Sequence, residues 1–206
     1  RRLLFGKPLE ERAEGEVVQP TGIHSCQFVD GDQGLLFVTY LFEDTGELGY
    51  LDLADPSAVT PIPIRGTAHA GRGVLESFEH LEGDRYALGY NIDGASGLYE
   101  GEYDAAAKEM RLDRVVCGQG ELAGGVLDSH RYDPARRRWA LSFSSATSPT
   151  QLYVVGKDGT ARRQTRERVL GIPAEWLSPG EDASFTSFDG TRVSARLYRP
   201  APALGF

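Results

Sequence analysis

Four histidines and two cysteines are the side chains here that reach beyond packing: His24, His69, His80, His130, Cys26 and Cys117. The run Asp128-Ser129-His130 holds the three side-chain types of a hydrolytic triad. Neighbours in a strand point to opposite faces, so three consecutive residues cannot form one. His24 and Cys26 are two apart, a spacing that puts an imidazole and a thiol on one strand face, as nucleophilic catalysis would need. Small apolar thiols are usually buried packing groups, and we expect that role for both cysteines. Arg72 and Arg131, with Glu76, Glu79 and Asp128, are the charged residues placed to face a central channel or a partner. The histidines are expected to be structural.

The sequence assigns no catalytic, cofactor-binding or metal-binding residue. It has no phosphate-binding glycine loop, no dinucleotide fingerprint, no HExxH and no CxxC. Two cysteines in 206 residues exclude a disulfide scaffold and a zinc ribbon. A net charge of -8 argues against a nucleic-acid or anionic-membrane surface. The one basic run, Arg136-Arg137-Arg138, follows Asp133 and reads as a solvated turn. No apolar run approaches the roughly 18 residues of a membrane span. We therefore expect a cytoplasmic protein that contacts neither membrane nor nucleic acid. The first residue is Arg1, so the chain is expected to start inside a longer protein.

The elements that would position these groups read as strands. Glycine makes up 25 of 206 residues, well above the average of about 7%, and it is spread through turns. Three passages are alike: 26–64, 76–115 and 127–165. Each has a short strand, then an apolar strand (LLFVTY at 35–40, YALGY at 86–90, WALSF at 139–143), a third strand with a tyrosine (Tyr50, Tyr99, Tyr153) and a more polar fourth. A period of roughly 50 residues with four strands is that of a propeller blade. The second strand is apolar throughout because both of its faces are covered. TPIPI, 60–64, carries two prolines and reads as an outer strand.

The fold class is thus all-β: a partial β-propeller of about three four-stranded antiparallel blades, near 22–66, 75–117 and 124–167, followed by a β-hairpin. Residues 1–20 would be the remnant of a preceding blade, with an outer strand at 1–7. Helical candidates are few: DAAAKEM at 104–110, where a long-tipped hairpin competes, and one turn in IPAEWL at 172–177. Three blades do not close a ring, so their apolar open faces should seek the missing blades or a second copy.

The last segment is the most specific. ASFTSFDGTRVSARLYRP alternates as a hairpin turned by Asp189-Gly190, with one apolar face that carries some of Phe185, Val193, Ala195 and Leu197. SFDGTRVSARLYRP, 187–200, resembles the hairpin at which the prolyl oligopeptidase family of serine peptidases passes from its propeller into its α/β-hydrolase domain. TSPTQLYVVGKDG, 147–159, is similar to the last-blade segment of such enzymes.

The resemblance implies domains at 21–169 (partial propeller), 170–181 (linker) and 182–206 (start of the hydrolase domain). It implies a parent that hydrolyses peptides, with the propeller as substrate filter and docking face. Its partners would be the catalytic domain, the remaining blades and the peptide. No G-x-S-x-G elbow and no histidine-glycine-glycine loop occur here, so none of the family's catalytic residues has a counterpart and no cofactor is implied. The paired-glutamate anchor of some dipeptidyl members sits on a helical insertion that has no counterpart either. A non-catalytic binding propeller and an esterase-like hydrolase of the same domain order remain as alternatives.

Overall fold

The structure is a computed structural model that describes residues 5–18, 21–71 and 73–205. It is built of strands, with no α-helix among the described residues and only short 3-10 turns. Two compact units divide the chain: 1–91 with 98–115, and 92–97 with 116–206.

In the first unit, β1 (His24–Val29), β2 (Gly34–Thr39), β3 (Glu47–Asp52) and β4 (Val59–Ile62) form an antiparallel sheet in that order. The apolar run of β2 buries Leu36, Phe37 and Val38 together, as expected for a strand covered on both faces. The next sheet is ordered β5-β9-β8-β7-β6, from β5 (Ile64–Arg65), β6 (Val74–Glu82), β7 (Arg85–Ile92), β8 (Ala95–Asp104) and β9 (Glu109–Cys117). The unit's core includes Leu48, Leu75, Phe78, Leu88, Leu98 and Met110.

The second sheet departs from the expected four antiparallel strands. TPIPI is not one outer strand. Pro63 separates Ile62, in β4, from Ile64, and β5 crosses to pair in parallel with β9 (Ile64↔Met110, Arg65↔Arg111). The Met110 amide donates to the Pro63 carbonyl at 2.9 Å. A proline supplies no amide to a ladder but keeps its carbonyl, so it can end one pairing and open another.

DAAAKEM is a turn between β8 and β9 rather than a helix. The Asp104 carboxylate accepts the amides of Ala106 and Ala107 at 3.0 and 2.8 Å, and Lys108 has φ 51°. A local side-chain cap of this kind competes with helix formation.

In the second unit, β10 (Val126–Asp133), β11 (Arg138–Ser145), β12 (Ser148–Val155) and β13 (Ala161–Arg163) form an antiparallel sheet. Trp139, Leu141, Phe143, Tyr153 and Val155 are buried on one face. The opposite face is not the apolar one that blade stacking predicts. It is mixed: Arg131, Ala140, Val154 and Arg162 stand in register across the four strands, with Ser142 facing Leu152 beside them and Arg138 at the end of β11. The outgoing chain is held by Gln151, which is buried. Its amide oxygen accepts Thr165 Oγ1 at 2.8 Å and the Glu167 amide at 2.9 Å, and its amide nitrogen donates to the Glu167 carbonyl at 2.9 Å.

Beyond Gln151's anchor come a 3-10 turn at Ala174–Trp176, placed within the expected IPAEWL segment, and four two-residue strands. β14 (Glu181–Asp182) pairs with β17 (Arg196–Leu197), and β15 (Phe185–Thr186) with β16 (Arg192–Val193). The outer strand expected at 1–7 falls in part outside the described residues, and of the rest residues 5 and 6 form a bend before a 3-10 turn at Leu9–Glu11.

Candidate functional site

The residues singled out by their chemistry do not converge. Asp128 accepts Thr150 Oγ1 at 3.0 Å, Ser129 shares a 2.8 Å hydrogen bond with Ser142, and the His130 ring packs on Trp139 at 5.5 Å. The three consecutive side chains thus serve three separate contacts. Arg131 donates to the neighbouring His130 carbonyl, Glu76 accepts from Asn91, and Arg72 lies outside the described residues. His80 bonds the Gly83 carbonyl at 2.8 Å. Among the described residues there is no group of three or more His, Cys, Asp or Glu that could hold a metal ion.

The alternation that would put His24 and Cys26 on one face is broken. Ser25 has φ 53°, and the register slips between His24↔Val38 and Gln27↔Leu36. A bulge inserts a residue and re-aims the side chains beyond it. His24 Nδ1 meets Ser25 Oγ at 3.2 Å. Cys26 is exposed, not buried as expected. Cys117 is buried as expected. Its thiol reaches the Leu122 carbonyl at 3.6 Å, and burial pushes it up to about 12.

Arg136-Arg137-Arg138 lies at a turn closed by Asp133, whose carboxylate meets Arg138 Nε at 3.0 Å. In the first unit, Lys108 sits 2.5 Å from Asp30 and 3.7 Å from the Tyr50 ring centroid. Burial penalises the Lys108 ammonium, but Asp30 and the phenols of Tyr50 and Tyr103 outweigh this and hold it above its ordinary range.

The best-formed candidate for binding is the C-terminal hairpin of the second unit. Gly190 has φ 85° and its amide donates to the Ser187 carbonyl at 3.0 Å, so the turn falls where Asp189-Gly190 placed it. Phe185 faces Val193 across the ladder, the Ala183 amide donates to the Ala195 carbonyl, and Glu181 faces Leu197. The pairing puts Phe185, Val193, Ala195 and Leu197 on one side.

This apolar side is open: Phe185 is 56% exposed and Leu197 41%, and Phe188 at the turn is fully exposed. The polar side is engaged. Arg192 donates two parallel 2.8 Å hydrogen bonds to both oxygens of Asp93, and its NH2 reaches Ser184 Oγ at 2.9 Å. Ser184 bonds Asp182 in turn, while Glu181, across from Leu197, pairs with Arg199 at the edge of the open side. The Arg192 guanidinium holds the Asp93 carboxyl below the usual carboxylate range.

Asp93 and Gly94 have φ 53° and 82°, the two consecutive positive values of a tight Asp-Gly hairpin turn between β7 and β8. Sequence reasoning missed Asp93 and Arg192. The only local signal was the Asp-Gly turn in NIDGA, and nothing near Arg192 points to it.

No family model matches the sequence, and no curated protein matches it. Among solved structures, the chain is similar to a prolyl endopeptidase, with a TM-score of 0.57 at 18% identity over 84% of this chain and 23% of that one. It is similar to oligopeptidase B from Leishmania major (TM-score 0.52, 15% identity, 84% of this chain, 24% of that one). It is also similar to a puromycin hydrolase (0.52, 17%, 87% and 26%). The chain spans about a quarter of the length of these structures. At these identities the shared property is the fold: an all-β, multi-sheet arrangement found in part of these larger hydrolases. No helix among the described residues is long and apolar enough to cross a membrane.

Proposed function

We propose that this chain is the propeller part of a serine peptidase of the prolyl oligopeptidase type, with the hairpin that leads into its α/β-hydrolase domain. On this reading residues 21–169 are part of a β-propeller, with blades near 22–66, 75–117 and 124–167. Residues 1–20 belong to a preceding blade, 170–181 link, and 182–206 begin the hydrolase domain. The propeller filters peptide substrates and docks the catalytic domain, which supplies nucleophile, base and oxyanion donors. These 206 residues hydrolyse nothing by themselves.

One observation carries the reading: successive sheets of at least four strands are followed by a separate hairpin, bound through its polar side and bare on its apolar side. A two-stranded hairpin is marginal in water unless it packs on something. The catalytic domain is what would cover it. The likeness to a prolyl endopeptidase and to oligopeptidase B supports the same order of parts.

The test is the reading frame beyond Phe206, expressed in full and treated with a fluorophosphonate probe. We expect a G-x-S-x-G elbow, labelling of its serine and cleavage of short peptides. A frame with no such elbow makes the protein a non-catalytic binding propeller. A labelled protein that cleaves esters but no peptide makes it an esterase-like relative.

A further inference from the structure

Basic charge is concentrated in one stretch of this acidic chain. Residues 131–168 hold nine of its 22 arginines and lysines but only three of its 30 acids. Three of those nine meet at one end of the second unit's sheet. Arg138 in β11, Val154 in β12 and Arg162 in β13 share a face, because Ala140, two residues after Arg138, pairs with Val154, and Val154 pairs with Arg162. Lys157 stands beside them in the turn from β12 to β13.

Between these residues lies a cavity of about 320 Å³, whose lining includes Arg138, Val154, Lys157, Asp158, Thr160 and Arg162. That volume is at the small end of ligand pockets. Arg138 gives its Nε to Asp133 at 3.0 Å, and neither Lys157 nor Arg162 makes a salt bridge among the described residues. The one acid in the lining, Asp158, is turned into its own loop, where its carboxylate accepts the Thr160 amide at 3.0 Å. Two backbone bonds close that loop: the Gly156 amide donates to the Thr160 carbonyl at 3.0 Å, and the Gly159 amide to the Gly156 carbonyl at 2.9 Å. Lys157 is therefore carried on a tied turn.

The fold does not dictate the sign of this charge. In the sheet of β5 to β9, the turn from β8 to β9 also borders a cavity, of about 420 Å³. Its charged lining residues are Asp84, Glu102, Asp104, Asp113 and Arg111. The hollow comes with the repeat, and each sequence sets its charge. Cations gathered around a hollow repel one another unless an anion joins them.

We propose that the cavity of the second unit binds a small dianion, a phosphate monoester or a dicarboxylate. Three cations and one carboxylate leave two positive charges to match, and a phosphate monoester carries close to two negative ones at neutral pH. Guanidinium groups meet the paired oxygens of carboxylate and phosphate side by side. The Thr160 hydroxyl adds a donor, and Val154 gives the carbon skeleton an apolar wall. The inference concerns binding by the second unit and does not rest on the peptidase reading.

The test is an NMR titration of the full chain at low salt and about pH 7.5, with phenyl phosphate, succinate and, as a monoanion control, acetate. The Lys157 and Thr160 amides are expected to shift saturably with a dianion, and whichever dianion binds more tightly names the class. Acetate should bind at least about tenfold more weakly. Lys157→Gln and Arg162→Gln should each weaken the dianion about tenfold or more, while an unmoved Trp139 indole signal shows the sheet intact. Should a variant fail to fold, the wild-type contrast between dianion and acetate decides. No saturation by about 10 mM, acetate binding as tightly as the dianions, or folded variants that bind like the wild type overturn the site. A phosphoserine tetrapeptide that binds more tightly than free phosphoserine overturns the small-ligand assignment.

Discussion

Arg192 stands 99 residues after Asp93 and closes a bidentate pair on it, both bonds at 2.8 Å. A planar guanidinium fits a carboxylate in this way and fixes orientation as well as distance. The pair orients the C-terminal hairpin, polar side in, on a hairpin turn between β7 and β8. Its energetic weight is small, because both side chains are about half exposed and solvent screens them.

Replacing Arg192 with alanine should therefore free the hairpin without unfolding the protein. We expect faster amide exchange over 182–199 and a melting temperature lowered by no more than about 3 °C. Acid should imitate the variant. The folded pKa of Asp93 lies below its ordinary 3.8, so the pair contributes fully above that value and is lost as pH falls through the folded one. Exchange over the hairpin measured down to acid pH reads this directly.

Gly190→Val tests the turn separately. The site has open space for a Cβ, so only the backbone at φ 85° resists. A left-handed residue with a side chain costs about 1–2 kcal/mol, more when β-branched. We expect a disordered hairpin by NMR and, in a longer enzyme, lower soluble yield with unchanged activity per titrated site. Normal yield with activity abolished per site would assign the hairpin a catalytic part.

Gln151→Leu should be more damaging than either. It removes a buried amide and leaves the Glu167 amide and carbonyl without their partner. Such losses cost about 1–3 kcal/mol, or about 2–4 °C of melting temperature for each kcal/mol in a chain of this size. Thermal unfolding measures it, and local exchange should rise first near residues 165–167.

The two cysteines should separate cleanly toward a thiol reagent. Cys26 is exposed and its thiol is raised by partial burial, so it reacts slowly at neutral pH and faster as pH rises. Cys117, at about 12 and buried, should react only on unfolding. Counting modified thiols against time tests both.

Exposed apolar side chains gather in the last segments, with Leu170 93% exposed besides Phe185, Phe188 and Leu197. The 206-residue chain should self-associate, giving a light-scattering mass above 22.5 kDa. Phe185→Ser with Leu197→Ser should bring it down toward that value.

The sheet-forming strands were legible because covered strands must be apolar: LLFVTY, YALGY and WALSF each became the second strand of a sheet. The Asp189-Gly190 turn was legible for the same local reason. What sequence could not express was anything decided at a distance. Ser25's bulge depends on the partner strand, and β5 turns to β9 because an edge more than forty residues later is free to receive it. The Arg192–Asp93 pair has no local pattern at all. Cys26 is exposed because the bulge re-aimed it, which the two-residue spacing could not foresee.

The parallel stitch of Ile64 and Arg65 on β9 bears on how this chain could be cut or recombined. The sequence repeats tempt one to treat each passage as an interchangeable cassette. A cut between Ile62 and Ile64 would instead take the edge strand from the second sheet and uncover the backbone of Met110 and Arg111. Exposed strand edges are templates for aggregation. A duplicated, deleted or transplanted second repeat would carry the same open edge unless residues 63–65 travelled with it. The modular unit of this protein is therefore offset from its sequence repeat by one short strand.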